Sequence, residues 1–170
     1  MGNGRKRLTP KGTMRKSVFL IAAAGFCFAG PAFAVNVKKM VDVPASPDSV
    51  WKTIGDFCGI ANWHPAIEKC EISKKGGATF RTLTLKGGGT ILEKQTHWDN
   101  KAKSYSYTIE ESPLPVANYK ATLSVTPKGS GSEVIWVSNF KAKGADDAKA
   151  SSTIGGIFDA GLASIAAKAK

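Results

Sequence analysis

From Ile67 to Phe140 apolar and polar residues alternate with a period of two. Gly-rich turns interrupt the alternation at intervals of about 8–12 residues, the pattern of short strands in an antiparallel meander. Ile67–Ser73 closes at Lys75-Gly76-Gly77, and Thr79–Leu85 closes at Gly87-Gly88-Gly89. Thr90–Trp98 ends at Asp99-Asn100-Lys101. Ser104–Glu110, Ala117–Val125 and a last strand around Val134, Trp136, Ser138 and Phe140 complete the series.

Other periods flank this block. Val35–Val43 alternates as a first strand and stops at Pro44. Ser46-Pro47-Asp48 then opens a helix: Ser46 suits the N-cap, Pro47 the first helical position, and Asp48 the positive helix end. Val50, Trp51, Ile54 and Phe57 form its apolar stripe, and Gly59 is the expected break. Ile60–His64 predicts one further turn before Pro65. After the meander, Asp146-Asp147 opens a long helix and Lys168 closes it, with Ile154, Ile157, Phe158, Leu162 and Ile165 on one face. Gly155, Gly156 and Gly161 lie inside it. Glycine costs about 1 kcal/mol against Ala there, so either something packs closely or the helix is weakly optimised. The fold class is therefore α+β: a seven-stranded curved antiparallel sheet around a long C-terminal helix, with two short helices after the first strand. A sheet that wraps one helix leaves a space between them, where ligand pockets lie.

The 170 residues carry 24 Lys+Arg against 13 Asp+Glu, a net charge of +11. The excess is local. Arg5, Lys6, Arg7, Lys11, Arg15 and Lys16 precede an apolar run from Val18 to Phe28, then Gly30-Pro31 and Ala32-Phe33-Ala34. This is the order of a secretory signal peptide over residues 1–34, cleaved after Ala34, and Met14–Ala34 alone also makes a complete signal. The run is short for a membrane span, so no stable anchor is expected after cleavage. Removing six basic residues and no acid leaves +5 on residues 35–170, a single domain. The remaining lysines are scattered, which argues against nucleic acid. The protein is expected to be periplasmic or secreted. Cys58 and Cys70 are the cysteines left, and export makes a disulfide between them plausible against two buried thiols.

The chemistry-bearing residues are few. His64 and His97 lack neighbouring Cys or Asp in ligand spacing, so no metal and no other cofactor is expected. His64 has a side chain that titrates near neutrality, and it is either a ligand contact or a structural His before Pro65. Glu93 is a general base if buried with a raised pKa, and a solubilising charge if exposed. No Ser-His-Asp elbow, G-x-S-x-G or phosphate loop occurs, and Gly87-Gly88-Gly89 reads as a hairpin turn.

Three segments together resemble a known family. Val43-Pro44-Ala45-Ser46-Pro47-Asp48-Ser49-Val50-Trp51 is similar to the opening motif of the START-like (SRPBCC) superfamily, in its polyketide cyclase/dehydrase and lipid-transport group. Ile60-Ala61-Asn62-Trp63-His64-Pro65 resembles the W-x-P segment, and Glu111–Val116 with Asn118-Tyr119 resembles the loop and strand after the fifth strand. The resemblance implies the helix-grip fold over residues 35–170. Exported members with the Ser112-Pro113-Leu114-Pro115 loop also resemble MxaD-type accessory proteins of methanol oxidation.

The plant abscisic-acid receptors share that fold. By this resemblance His64 stands where they have a ligand-contacting lysine, Glu93 at a pocket carboxylate, and Tyr119 on the pocket wall. Leu114, Pro115, Trp136 and Phe158 complete the candidate lining. Ser112–Val116 corresponds to the latch loop, with Ser112 and Pro113 at the mouth. Lys86, Gly87, Gly88 and Gly89 stand at the gate without the receptors' Ser-Gly-Leu-Pro, so hormone gating does not carry over. The resemblance implies a non-catalytic carrier of a small apolar or amphipathic molecule. The alternatives are an MxaD-like accessory protein steered to an acidic periplasmic partner by its positive charge, and a cyclase- or hydratase-like enzyme using His64 or Glu93.

Overall fold

The computed structural model describes residues 1–2 and 34–170. The signal-peptide expectation falls on residues 1–34 and so lies almost wholly outside the described residues. Among the described residues, no helix is long and apolar enough to cross a membrane.

The domain runs β1 (Val35–Val43), α1 (Pro47–Ile54), α2 (Ile60–Trp63), β2 (Ile67–Lys75), β3 (Ala78–Leu85), β4 (Thr90–Asp99), β5 (Ser104–Glu111), β6 (Val116–Lys128), β7 (Gly131–Ala142) and α3 (Asp147–Lys168). All seven strands form one antiparallel sheet in the order β1-β7-β6-β5-β4-β3-β2. The meander from β2 to β7 is thus sequential, and β1 closes against β7. The α+β expectation and its strand count hold, and each long helix starts where its cap chemistry placed it. Ser46 accepts from the Ser49 N–H, and Asp146 from the Lys149 N–H at 2.7 Å.

One boundary differs. The first helix ends at Ile54 rather than near Gly59, because Gly55 takes φ 73° and its N–H closes the last turn onto Trp51. That left-handed position costs glycine little and other residues more. Phe57 therefore reaches the core from the connection between α1 and α2. Gly59 packs its Cα beside the end of α1, where a Cβ would meet the Ile54 carbonyl.

The core is the concave face of the sheet pressed on α3. Val134, Trp136 and Phe140 of β7, and Ala121, Leu123 and Val125 of β6, meet Ile154, Phe158, Leu162 and Ile165. These helix residues recur at i+4 and i+3, so they form one apolar stripe along α3.

Cys58 and Cys70 are bonded, with Cα atoms 5.5 Å apart, inside the range a disulfide allows. The bond ties the α1–α2 connection to β2, the strand at one edge of the sheet. Beyond Ile67 that strand buries almost nothing, so the covalent tie replaces packing it lacks. Removing the bond in a Cys58→Ser/Cys70→Ser variant is expected to cost about 3 kcal/mol. At this chain length that is a fall in Tm on the order of 10 °C, read by calorimetry of residues 35–170.

Candidate functional site

A cavity of about 280 Å³ lies between α3 and the sheet. Its helical side is Ile60 of α2, His64 that caps it, and Ile154, Ile157 and Phe158 from α3. Its sheet side includes Ile91 and Glu93 of β4, Tyr107 and Ile109 of β5, Tyr119 of β6 and Trp136 of β7. Gly87 and Gly88 of the β3–β4 turn and Leu114 of the β5–β6 loop border it.

Six of the seven candidate lining residues are therefore together: His64, Glu93, Leu114, Tyr119, Trp136 and Phe158. Pro115 is not in the wall. Of the expected mouth residues, Gly87 and Gly88 line the space, whereas Lys86, Gly89, Ser112 and Pro113 do not. The two loops still approach each other, since a Cβ on Gly89 would lie 3.7 Å from the Pro113 ring. His97 is exposed and away from the cavity.

Tyr119 shares the inward face of β6 with Ala121, Leu123 and Val125, and a bulge precedes it. The β6–β7 register shifts between Ala117 and Lys120, with Asn118 at φ 53°. The extra residue resets the alternation, so Val116 and Tyr119 both point inward. Asn is among the side chains that tolerate this backbone.

His64 is a neutral structural bridge. Its Nδ1 accepts from the Ala66 N–H at 3.2 Å, which leaves Nε2–H to donate to the Ile157 carbonyl at 3.0 Å. Burial pushes its pKa down, and the positive charge of Arg81 adds to that, against the favourable Ile157 contact. Both ring nitrogens are committed, so the imidazole has no free lone pair or proton for a ligand.

Glu93 is buried, which excludes the solubilising role. Its Oε2 accepts from Nε of Arg81 at 2.5 Å, and both side chains are almost fully enclosed. Arg81 Nη1 donates to the Phe57 carbonyl. The guanidinium stacks 4.1 Å from the Phe57 ring centre and 5.1 Å from that of Tyr107. Nη2 is buried and has no hydrogen-bond partner among the described residues, so aromatic faces replace water around it. Burial pushes the Glu93 carboxyl above the ordinary range, and Arg81 opposes that shift by pairing with it. Arginine stays charged in proteins, so the pair is ionic.

Tyr107 and Tyr119 are neighbours, with ring centres 6.1 Å apart. The Tyr107 hydroxyl accepts from Trp136 Nε1 at 3.1 Å. Burial pushes both phenols up, so they remain protonated donors. Arg81 was not singled out by sequence reasoning. Its signal was phase: it shares the inward face of β3 with Leu83.

Gly161 lies under two of the cavity residues, His64 and Trp136. A Cβ there would lie 2.8 Å from both His64 Cδ2 and Trp136 Cζ3, and 3.1 Å from Trp63 Cζ3. Those rings pack on the bare helix backbone, and Trp136 also stacks on Phe158 with ring centres 4.3 Å apart. Of the three α3 glycines, this one has the close-packing reason; Gly156 faces open space. Gly156→Ala should therefore stabilise by up to about 1 kcal/mol through helix propensity. Gly161→Ala should destabilise by about 1–3 kcal/mol through overpacking. Urea unfolding of the two variants checks the opposite signs.

Among the described residues no cluster of three or more His, Cys, Asp or Glu could hold a metal. A search of curated proteins finds no match. Solved structures are similar. The protein XoxI from Bacillus cereus is 29% identical with a TM-score of 0.74, covering 79% of this chain and 95% of that one. An uncharacterized protein from Bacillus thuringiensis is 28% identical with a TM-score of 0.72, covering 78% and 96%. The Zhui aromatase/cyclase from Streptomyces sp. R1128 is 20% identical with a TM-score of 0.65, covering 81% and 94%, a likeness of fold alone. The family described as polyketide cyclase / dehydrase and lipid transport matches residues 34–170, from the start of β1 past the end of α3. The chain belongs to that family.

Proposed function

We propose that the domain is a carrier that binds a compact apolar or amphipathic molecule between α3 and the sheet. The observation that carries this reading is the cavity: about 280 Å³, walled mainly by Ile, Leu and aromatic side chains. That volume falls just below the range of about 300–1,000 Å³ of drug-sized ligand pockets. A molecule of one or a few rings fits; a two-chain lipid does not.

Carriage is favoured over cyclase-like catalysis by the state of the two candidate acid–base groups. Both nitrogens of His64 are held by backbone groups, and Glu93 is held by Arg81. A general acid or base must reach the reacting proton, and His64 has none to give or take without breaking the Ala66 or Ile157 contact.

Export belongs to the same reading. It is supported by the basic stretch, the apolar run and Ala32-Phe33-Ala34. The Cys58–Cys70 disulfide supports it too, since such bonds persist in oxidising compartments.

Titration of residues 35–170 with the neutral dye N-phenyl-1-naphthylamine tests the carrier. One dye per chain is expected. Ile109→Trp, which fills the cavity, should abolish binding while the far-UV circular dichroism stays unchanged. Equal binding by a folded Ile109→Trp variant contradicts the reading.

A further inference from the structure

The cavity is chemically two-sided. Its helical wall is Ile60, Ile154, Ile157 and Phe158, and the polar group there, His64, has both nitrogens engaged. Its sheet wall carries Glu93, Tyr107 and Tyr119 on the consecutive strands β4, β5 and β6. Glu93 uses Oε2 for Arg81, and no hydrogen bond reaches Oε1 from the described residues. Arg81 is fully enclosed and is not among the lining residues, so an occupant meets the carboxylate and not the guanidinium.

We propose that the cavity selects a compact ring molecule bearing a hydroxyl or amine donor, with Glu93 as the acceptor that specifies it. This rests on the carrier reading above. A donor placed at Oε1 completes the coordination of a buried carboxylate that otherwise has one partner. A hydrogen bond to a charged group is about twice as strong as a neutral one. A carboxylate of the same shape would lose its water with no cation in the wall to pair it, since Arg81 is sealed from the cavity and spent on Glu93. Arg81 already neutralises Glu93, so the occupant need not be a cation. The Tyr107 hydroxyl accepts from Trp136 Nε1, and Tyr119 stands beside it in the same wall.

The test compares naphthalene, 2-naphthol and 2-naphthoate, three probes of one ring system, displacing N-phenyl-1-naphthylamine from residues 35–170 at pH 7.5. The expected order is 2-naphthol tighter than naphthalene by about tenfold or more, from the worth of a hydrogen bond to a charged group. 2-Naphthoate should bind at least tenfold more weakly than naphthalene. Glu93→Gln should shrink both ratios to within about threefold. Should Glu93→Gln not fold, Arg81→Met/Glu93→Gln removes the stranded charge and must show the same loss of discrimination. If the wild-type protein binds naphthalene as well as 2-naphthol, or prefers 2-naphthoate, the proposal fails and the carrier stands. If neither the dye nor any probe binds, both fail.

Discussion

A positive charge with no access to water sits at the centre of this domain. Arg81 is completely enclosed, and its survival there depends on Glu93, the Phe57 carbonyl and the faces of Phe57, Tyr105 and Tyr107. Burying an unpaired ion costs several kcal/mol, so each partner must be in place at once. The requirement joins distant parts of the chain. Arg81 comes from β3, Glu93 from β4, the tyrosines from β5, and Phe57 from the turn that Gly55 makes after α1. The ion pair thus sets the register of three strands and the position of the α1–α2 connection. The disulfide from Cys58 holds the residue next to Phe57, so the covalent tie and the ion pair restrain one loop from two sides.

The other end of the site is set by close approach. Gly161 lets Trp63, His64 and Trp136 rest on the backbone of α3. Trp63 also donates Nε1–H to the Ile54 carbonyl at 3.1 Å, which links α2 back to α1. The cavity lies beside this contact, bordered by Ile157, Leu114 and the Gly87-Gly88 turn. Its polar wall is Glu93, Tyr107 and Tyr119, with the charge of Glu93 matched by Arg81 behind it.

Much of this was legible in the residues. The switch of period at Ile67, the caps at Ser46 and Asp146, and the Gly-rich turns fixed the order of elements, because each is a local signal. The phase of β7 placed Trp136 with Phe140, whereas Glu93 stood open between a buried base and an exposed charge. What was not legible was burial and contact at a distance. The β3–β4 hairpin sets Arg81 directly opposite Glu93, but nothing local tells that Phe57 covers the pair, or that the nitrogens of His64 are spent on Ala66 and Ile157. The end of α1 was misplaced for a related reason: Phe57 continues the apolar stripe, and only the conformation of Gly55 shows that it does so outside the helix. Gly161 stood out as a cost, but its beneficiaries lie on α2 and β7. The bulge at Asn118 has no sequence marker beyond an Asn, yet it decides that Val116 faces inward alongside Tyr119.

A double-mutant cycle on the ion pair measures its place in the structure most directly. Arg81→Met and Glu93→Leu each strand a buried charge and should each cost about 3–5 kcal/mol in urea unfolding. The double variant replaces both charges by apolar side chains and should lose less than either single variant, with strong coupling between the sites. Losses that simply add would contradict the account, because Arg81 and Glu93 would then be stabilising independently and not holding one another in place.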